Sequence, residues 1–183
     1  MPPHSQSTSA IRAVVRRVVR SITTWPDVRG WLRCLWVLLA YVVIAFVLGL
    51  ATGALRLEAY RGASERLVRF AAIAFFVPCL SEELFFRAAL LPDPQKLLSA
   101  RYRVGRAAIA VALFVVWHPL NGLLLKTEAR QVFLDPGFLM LATLLGCCAT
   151  AVYLLTGSIW PSTFVHWLTV VGWKAFLGGR IFD

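Results

Sequence analysis

Ser81-Glu82-Glu83-Leu84-Phe85-Phe86-Arg87 lies inside an apolar run from about Leu67 to Leu91. Two adjacent carboxylates and a guanidinium do not belong in hydrocarbon unless something holds them there. A charge at mid-bilayer costs roughly 3 kcal/mol on insertion scales. Glu82 and Glu83 are the only acids inside any long apolar run of the chain. On a helix, Glu83 and Arg87 sit one turn apart on one face and can pair. Glu82 points about 100° away, so it is not the natural partner of Arg87. One carboxylate is then neutralised and the other is left for chemistry. The plainer alternative is a structural ion pair between helices.

The rest of the chain reads as membrane protein. Of its 183 residues, 59% are hydrophobic and 15% charged, with a mean hydropathy of +0.71. A soluble domain is nearer half apolar and a quarter charged. The net charge of +10 does not indicate nucleic acid. The cations stand at the ends of apolar runs, where membrane orientation and anionic lipids explain them. The cysteines, Cys34, Cys79, Cys147 and Cys148, all lie in apolar runs and form no CxxC pair. They read as small hydrophobes.

The expected fold is all-α: a polytopic transmembrane helical bundle of about five spans plus an N-terminal amphipathic helix. Residues 1–30 form a basic tail. In it Arg12, Arg16 and Arg20 share one helical face, with Val14, Val15, Val18 and Ile22 largely opposite. This pattern suits a helix lying on an anionic membrane surface. A signal peptide is the alternative, but the apolar run that follows is too long and lacks a cleavage site. Residues 31–183 form the membrane domain. Its spans run from about Trp31 to Leu55, Leu67 to Leu91, Ala107 to Leu125, Gly137 to Leu155 and Ile159 to Leu177. Each is close to the roughly 20 residues that cross a bilayer. Residues 1–33 carry Arg12, Arg16, Arg17, Arg20, Arg29 and Arg33 against Asp27, and the 92–106 loop carries Lys96, Arg101, Arg103 and Arg106 against Asp93. The 126–136 loop is balanced. The positive-inside rule therefore places the amino terminus and the 92–106 loop in the cytoplasm.

His118 and His166 each sit inside a span. At a rise of 1.5 Å per residue, Glu82, His118 and His166 lie about 10 to 17 Å from their helix ends. Three helices then present Glu82, Glu83, Arg87, His118 and His166 at one level, and intramembrane ionisable groups are functional hypotheses by default. Pro78 precedes the glutamates by one turn and Pro119 follows His118. Each removes a helix hydrogen bond, which is tolerated where broken helix lines a protein-enclosed or watery cavity. A carboxylate beside a histidine can polarise water as a general base, and a further histidine can donate to a developing oxyanion. Such a set would hydrolyse a peptide bond. Two histidines and two glutamates could instead bind zinc. No HExxH is present, however, and adjacent glutamates do not both reach one ion easily from a regular helix.

These residues carry a family resemblance. Glu82-Glu83-x-x-x-Arg87, Phe114-x-x-x-His118, and His166 within Phe164-Val165-His166-Trp167 resemble, in order, the three motifs of the CPBP family of intramembrane proteases. That family includes the CAAX-processing type II prenyl endopeptidases. The resemblance covers Pro78 to about Trp173. It implies a helical membrane fold with its active site inside the bilayer. It implies that Glu82, with His118, activates water, that Glu83 and Arg87 support them, and that His166 stabilises the oxyanion. The glutamate-type description of the family, favoured for the spacing reason above, needs no metal or other cofactor. The implied substrate is a membrane-anchored protein or peptide, and the implied location is the cell inner (plasma) membrane, multi-pass. Small members of this kind resemble bacterial processing proteases that act on membrane-anchored sorting tails. The chain departs from the third motif, which usually has Asn or Asp four residues after its histidine; Val170 stands there, and Asn121 is a candidate replacement. The alternatives are a catalytically inactive binding protein of the same family, of the bacteriocin-immunity type, and a zinc-dependent version of the protease. A small transporter or proton relay would need polar residues along a path to both faces. The first and fourth runs offer little beyond Tyr41, Thr143 and Thr150.

Overall fold

The computed structural model describes residues 4–181 and is all-helical, with no strand among them. Helix α1 (His4–Thr23) is followed by α2 (Val28–Thr52) and α3 (Ser64–Ala74). A π-helical turn (Phe75–Leu80), one α-helical turn α4 (Ser81–Glu83) and a second π-helical turn (Leu84–Ala89) continue α3. Then come α5 (Ala100–Leu124), the short α6 (Arg130–Phe133), α7 (Pro136–Thr156) and α8 (Ile159–Phe176). The ends are set by local chemistry. Asp27, Ser99, Asp135 and Ser158 each accept a backbone N–H in the first turn of the helix that follows, the standard N-cap device. Gly53 and Gly157 close α2 and α7 at φ of 75° and 66°, a left-handed conformation open to glycine.

Among the described residues, three helices are long and apolar enough to cross a membrane: α2, α5 and α7. The other two expected spans differ from that description. The Leu67–Leu91 run is not one regular helix. Val77 is extended (φ −135°, ψ 112°) in front of Pro78, because the pyrrolidine ring disfavours helical backbone at the preceding residue. The last run forms α8, an 18-residue helix whose apolarity is diluted by His166, Lys174 and several hydroxyl groups. At Pro119 the expected break does not occur, and α5 runs through it to Leu124. Arg101, Arg103 and Arg106, expected in a loop, lie in the first turns of α5.

Helix α7 is central, packing on α2, α5 and α8. Its buried stripe includes Leu141, Leu145, Gly146, Ala149 and Val152. Gly146 lets α5 approach closely, since a Cβ there would meet Phe114 Cδ1 at 3.1 Å, the small-residue contact usual between membrane helices. The chain ends gather at two poles. At one pole Arg17, on α1, reaches the Ala89 carbonyl, and Trp160 reaches that of Ile22. At the other, Glu58 bridges Leu177, and Gly137 stands against Ala54.

Helix α1 forms as expected, but its faces are distributed differently. Val14 and Val18 turn partly toward the protein, whereas Ile11, Val15, Val19 and Ile22 are exposed. The sequence pattern could not separate a valine facing the bundle from one facing outward.

Candidate active site

The kink at Val77 and the two π-helical turns bring both glutamates to the centre of the bundle. Wide turns of this kind are rare and recur at functional sites. Glu83 is fully buried, and Arg87 Nη1 stands 3.1 Å from its Oε1. This is the i, i+4 pair that the sequence predicts. Arg87 Nη2 also donates to the Gly146 carbonyl at 3.3 Å, and its guanidinium lies 4.4 Å over the Phe114 ring. His166, on α8, places Nδ1 3.0 Å from Glu83 Oε1. A carboxylate only accepts, so Nδ1 carries the hydrogen.

Glu82 faces elsewhere, as its helical offset predicts. Its side chain keeps 13% of its surface exposed, and Oε2 lies 4.0 Å from His166 Nε2. Trp117 Nε1 donates to Oε1 at 3.2 Å. Oε2 is buried and has no hydrogen-bond partner among the described residues. A buried carboxylate oxygen without a donor is costly. Glu83 Oε2 is also without a partner, but of the two glutamates it is Glu82 that lines the cavity described below, where a further ligand can reach it.

His118 Nδ1 stands 2.8 Å from the Phe114 carbonyl, which can only accept, so Nδ1–H is the donor and Nε2 keeps a lone pair. The structure thus joins Glu82, Glu83, Arg87 and His166 directly. His118 belongs to the same assembly through Phe114, whose fully buried ring stands 4.9 Å from that of His118 and 5.7 Å from that of His166. The closest histidine partner of Glu82 is His166, not the His118 that the resemblance implies.

A cavity of about 900 Å³ opens onto this cluster, and Glu82, His118, Asn121 and His166 line it. Asn121 and Val170 are therefore both at the site. Part of the wall consists of Val42 and Phe46 of α2 and Ile73 and Val77, all themselves exposed on the outer surface. Arg66, Lys126 and Glu128 line its other end, at the pole away from α1. Toward α1 a fully buried apolar layer of Ala88, Leu91, Ala110, Tyr153 and Ile159 closes the bundle. None of these five residues lines the cavity.

Sequence reasoning missed Trp117 and the His166–Glu83 contact. The only signal for the first was its place beside His118. Among the described residues no three His, Cys, Asp or Glu side chains are grouped so as to hold a metal ion.

A scan against family models matches residues 64–172 to one described as type II CAAX prenyl endopeptidase Rce1-like. The matched stretch is more than half of the chain and includes all five expected site residues. No curated protein and no solved structure matches the chain.

Proposed function

The chain belongs to the type II CAAX prenyl endopeptidase Rce1-like family, and on that premise we propose that it cleaves a membrane-anchored protein or peptide with water activated by Glu82. The observation that carries the mechanism is the unpartnered Glu82 Oε2 facing His166 at the floor of the cavity. A water bound there gives its proton to Glu82, and its oxygen attacks the scissile carbonyl. His118, through the free lone pair of Nε2, accepts the water's second hydrogen and orients it. His166 Nε2, 4.0 Å from Glu82 Oε2, is the ring nitrogen placed to donate to the oxyanion. Collapse of the tetrahedral intermediate breaks the C–N bond, and Glu82 returns its proton to the leaving amine. Glu83 and Arg87 fix His166 and each other. Asn121 is a second donor candidate for the oxyanion, in the place that Val170 cannot fill.

The exposed wall between α2 and the Ile73–Val77 segment supports entry of a lipid-embedded substrate from the side. The basic tail supports an anionic membrane surface as partner, and the charge pattern supports the plasma membrane with a cytoplasmic amino terminus. The test is co-expression with tail-bearing membrane proteins, followed by mass spectrometry of the products. New termini that appear with the wild type and vanish with Glu82→Gln support the reading. Identical products from both sink the glutamate mechanism.

A further inference from the structure

Helix α1 has three distinct sectors around its axis at about 100° per residue. Ala13, Val14, Arg17, Val18 and Ser21 face the protein in varying degree. The outward arc divides into two halves. One half carries Ile11, Val15, Val19 and Ile22, exposed by 61%, 53%, 53% and 39%. The adjoining half carries the exposed Arg12, Arg16 and Arg20. Trp25, 64% exposed, follows just beyond the helix end.

The inward sector grips the segment that bears the site. Arg17 Nη2 donates to the Ala89 carbonyl at 2.7 Å, at the last residue of the π-helical turn that carries Arg87. From the edge of the outward basic half, Arg20 adds a pair with Asp93 at 3.2 Å, four residues further along. Val18 packs against the apolar layer that contains Ala88 and Leu91. Trp160, at the start of α8, donates to the Ile22 carbonyl at 2.9 Å. Helix α1 therefore touches the first turn of the helix that carries His166 and the last turn of the one that carries Arg87.

We infer that α1 is an in-plane binding surface for anionic phospholipid headgroups, and that its inward sector transmits this binding to the turn that holds Arg87. A soluble acidic partner would match the arginines but leave the apolar half uncovered. At a bilayer surface the apolar half enters the acyl boundary while the arginines meet phosphate. The Arg17–Ala89 contact then fixes the end of the π-helical turn only while α1 stays seated. Regulation of cleavage by this route rests on the endopeptidase reading; the lipid surface and its coupling do not.

The experiment uses the full chain in nanodiscs of phosphatidylcholine alone or with added phosphatidylglycerol. Hydrogen exchange is followed over residues 11–23 and 84–91, with cleavage of a tail-bearing substrate in parallel. Phosphatidylglycerol should slow exchange in both segments of the wild type. Arg12→Gln with Arg16→Gln should remove the response in both, at roughly five-fold in protection per arginine. Arg17→Gln should keep the response in α1 and lose it over 84–91. Exchange in α1 that ignores lipid charge overturns the binding surface. An 84–91 segment that still follows lipid charge in Arg17→Gln overturns the coupling. Lipid-dependent exchange without cleavage under any condition sinks the endopeptidase reading and leaves this inference standing. Cleavage with lipid-independent exchange does the reverse.

Discussion

Arg87 Nη1 stands 3.1 Å from Glu83 Oε1, and neither side chain has more than 1% of its surface exposed. Such a pair contributes little net stability, because desolvation offsets most of the attraction, but breaking it strands a buried charge. Arg87→Ala should therefore destabilise the protein by about 3–5 kcal/mol, read as a lower melting temperature in detergent or a lower yield. Arg87→Met combined with Glu83→Gln should recover part of that loss. A single variant that melts like the wild type would show that the pair is solvated or held by other groups.

Glu82 is the contrasting case one residue earlier. Arg87 pairs with Glu83 and not with Glu82, so Glu82→Gln removes a charge and leaves the buried Glu83–Arg87 pair intact. Melting should stay within about 1 kcal/mol of wild type, while cleavage falls by roughly two to four orders of magnitude, the usual worth of a general base. Normal cleavage by Glu82→Gln with loss in Glu83→Gln would exchange the two roles. Normal cleavage by both would remove glutamate from the mechanism.

The pairing of Arg87 with Glu83 and not Glu82 was legible in the sequence because it depends only on helical offset. Glu83 reaches Arg87 four residues on, and Glu82 does not. The meeting of three segments at one depth was legible too, since span length and helical rise set it. Two features were not. His166 contacts Glu83 across 83 residues of chain, and no local pattern encodes which ring nitrogen arrives. Pro78 marked a break, but the π-helical turn that contains it and the one that follows pack against α8 and α1, contacts that no local pattern encodes. Pro119 gave the opposite error: a proline signal that the helix absorbs without breaking.

Trp117 offers a test of positioning. Its indole holds Glu82 Oε1 at 3.2 Å, which leaves Oε2 as the oxygen toward His166. Trp117→Phe keeps an aromatic ring and removes the donor. A hydrogen bond to a charged group is worth about 1.5–3 kcal/mol, so kcat should fall by roughly 10- to 100-fold with KM little changed. Trp117→His, which restores a ring N–H, should recover part of the rate. A loss confined to KM would place Trp117 against substrate instead of the base.

Orientation decides which compartment supplies the cleavable segment. The pole that holds α1, Asp93 and the start of α5 contains Arg12, Arg16, Arg17, Arg20, Arg29, Arg33, Lys96, Arg101, Arg103 and Arg106 against Asp27 and Asp93. The opposite pole, where Arg66, Lys126 and Glu128 line the cavity, mixes both signs. The positive-inside rule then puts α1 in the cytoplasm and the charged end of the cavity outside. Reporter fusions after Arg101 should read cytoplasmic, and fusions near Glu128 should read external. A tail-bearing substrate with its cleavable segment on the outer side should be cut, and the same segment moved to the inner side should not. Reversed reporters together with cutting on the inner side would invert the protein in the membrane and leave the site intact. Reporters as expected with cutting only on the inner side would mean that substrate reaches Glu82 from the side of the buried Ala88–Leu91 layer and not from the end lined by Arg66, Lys126 and Glu128.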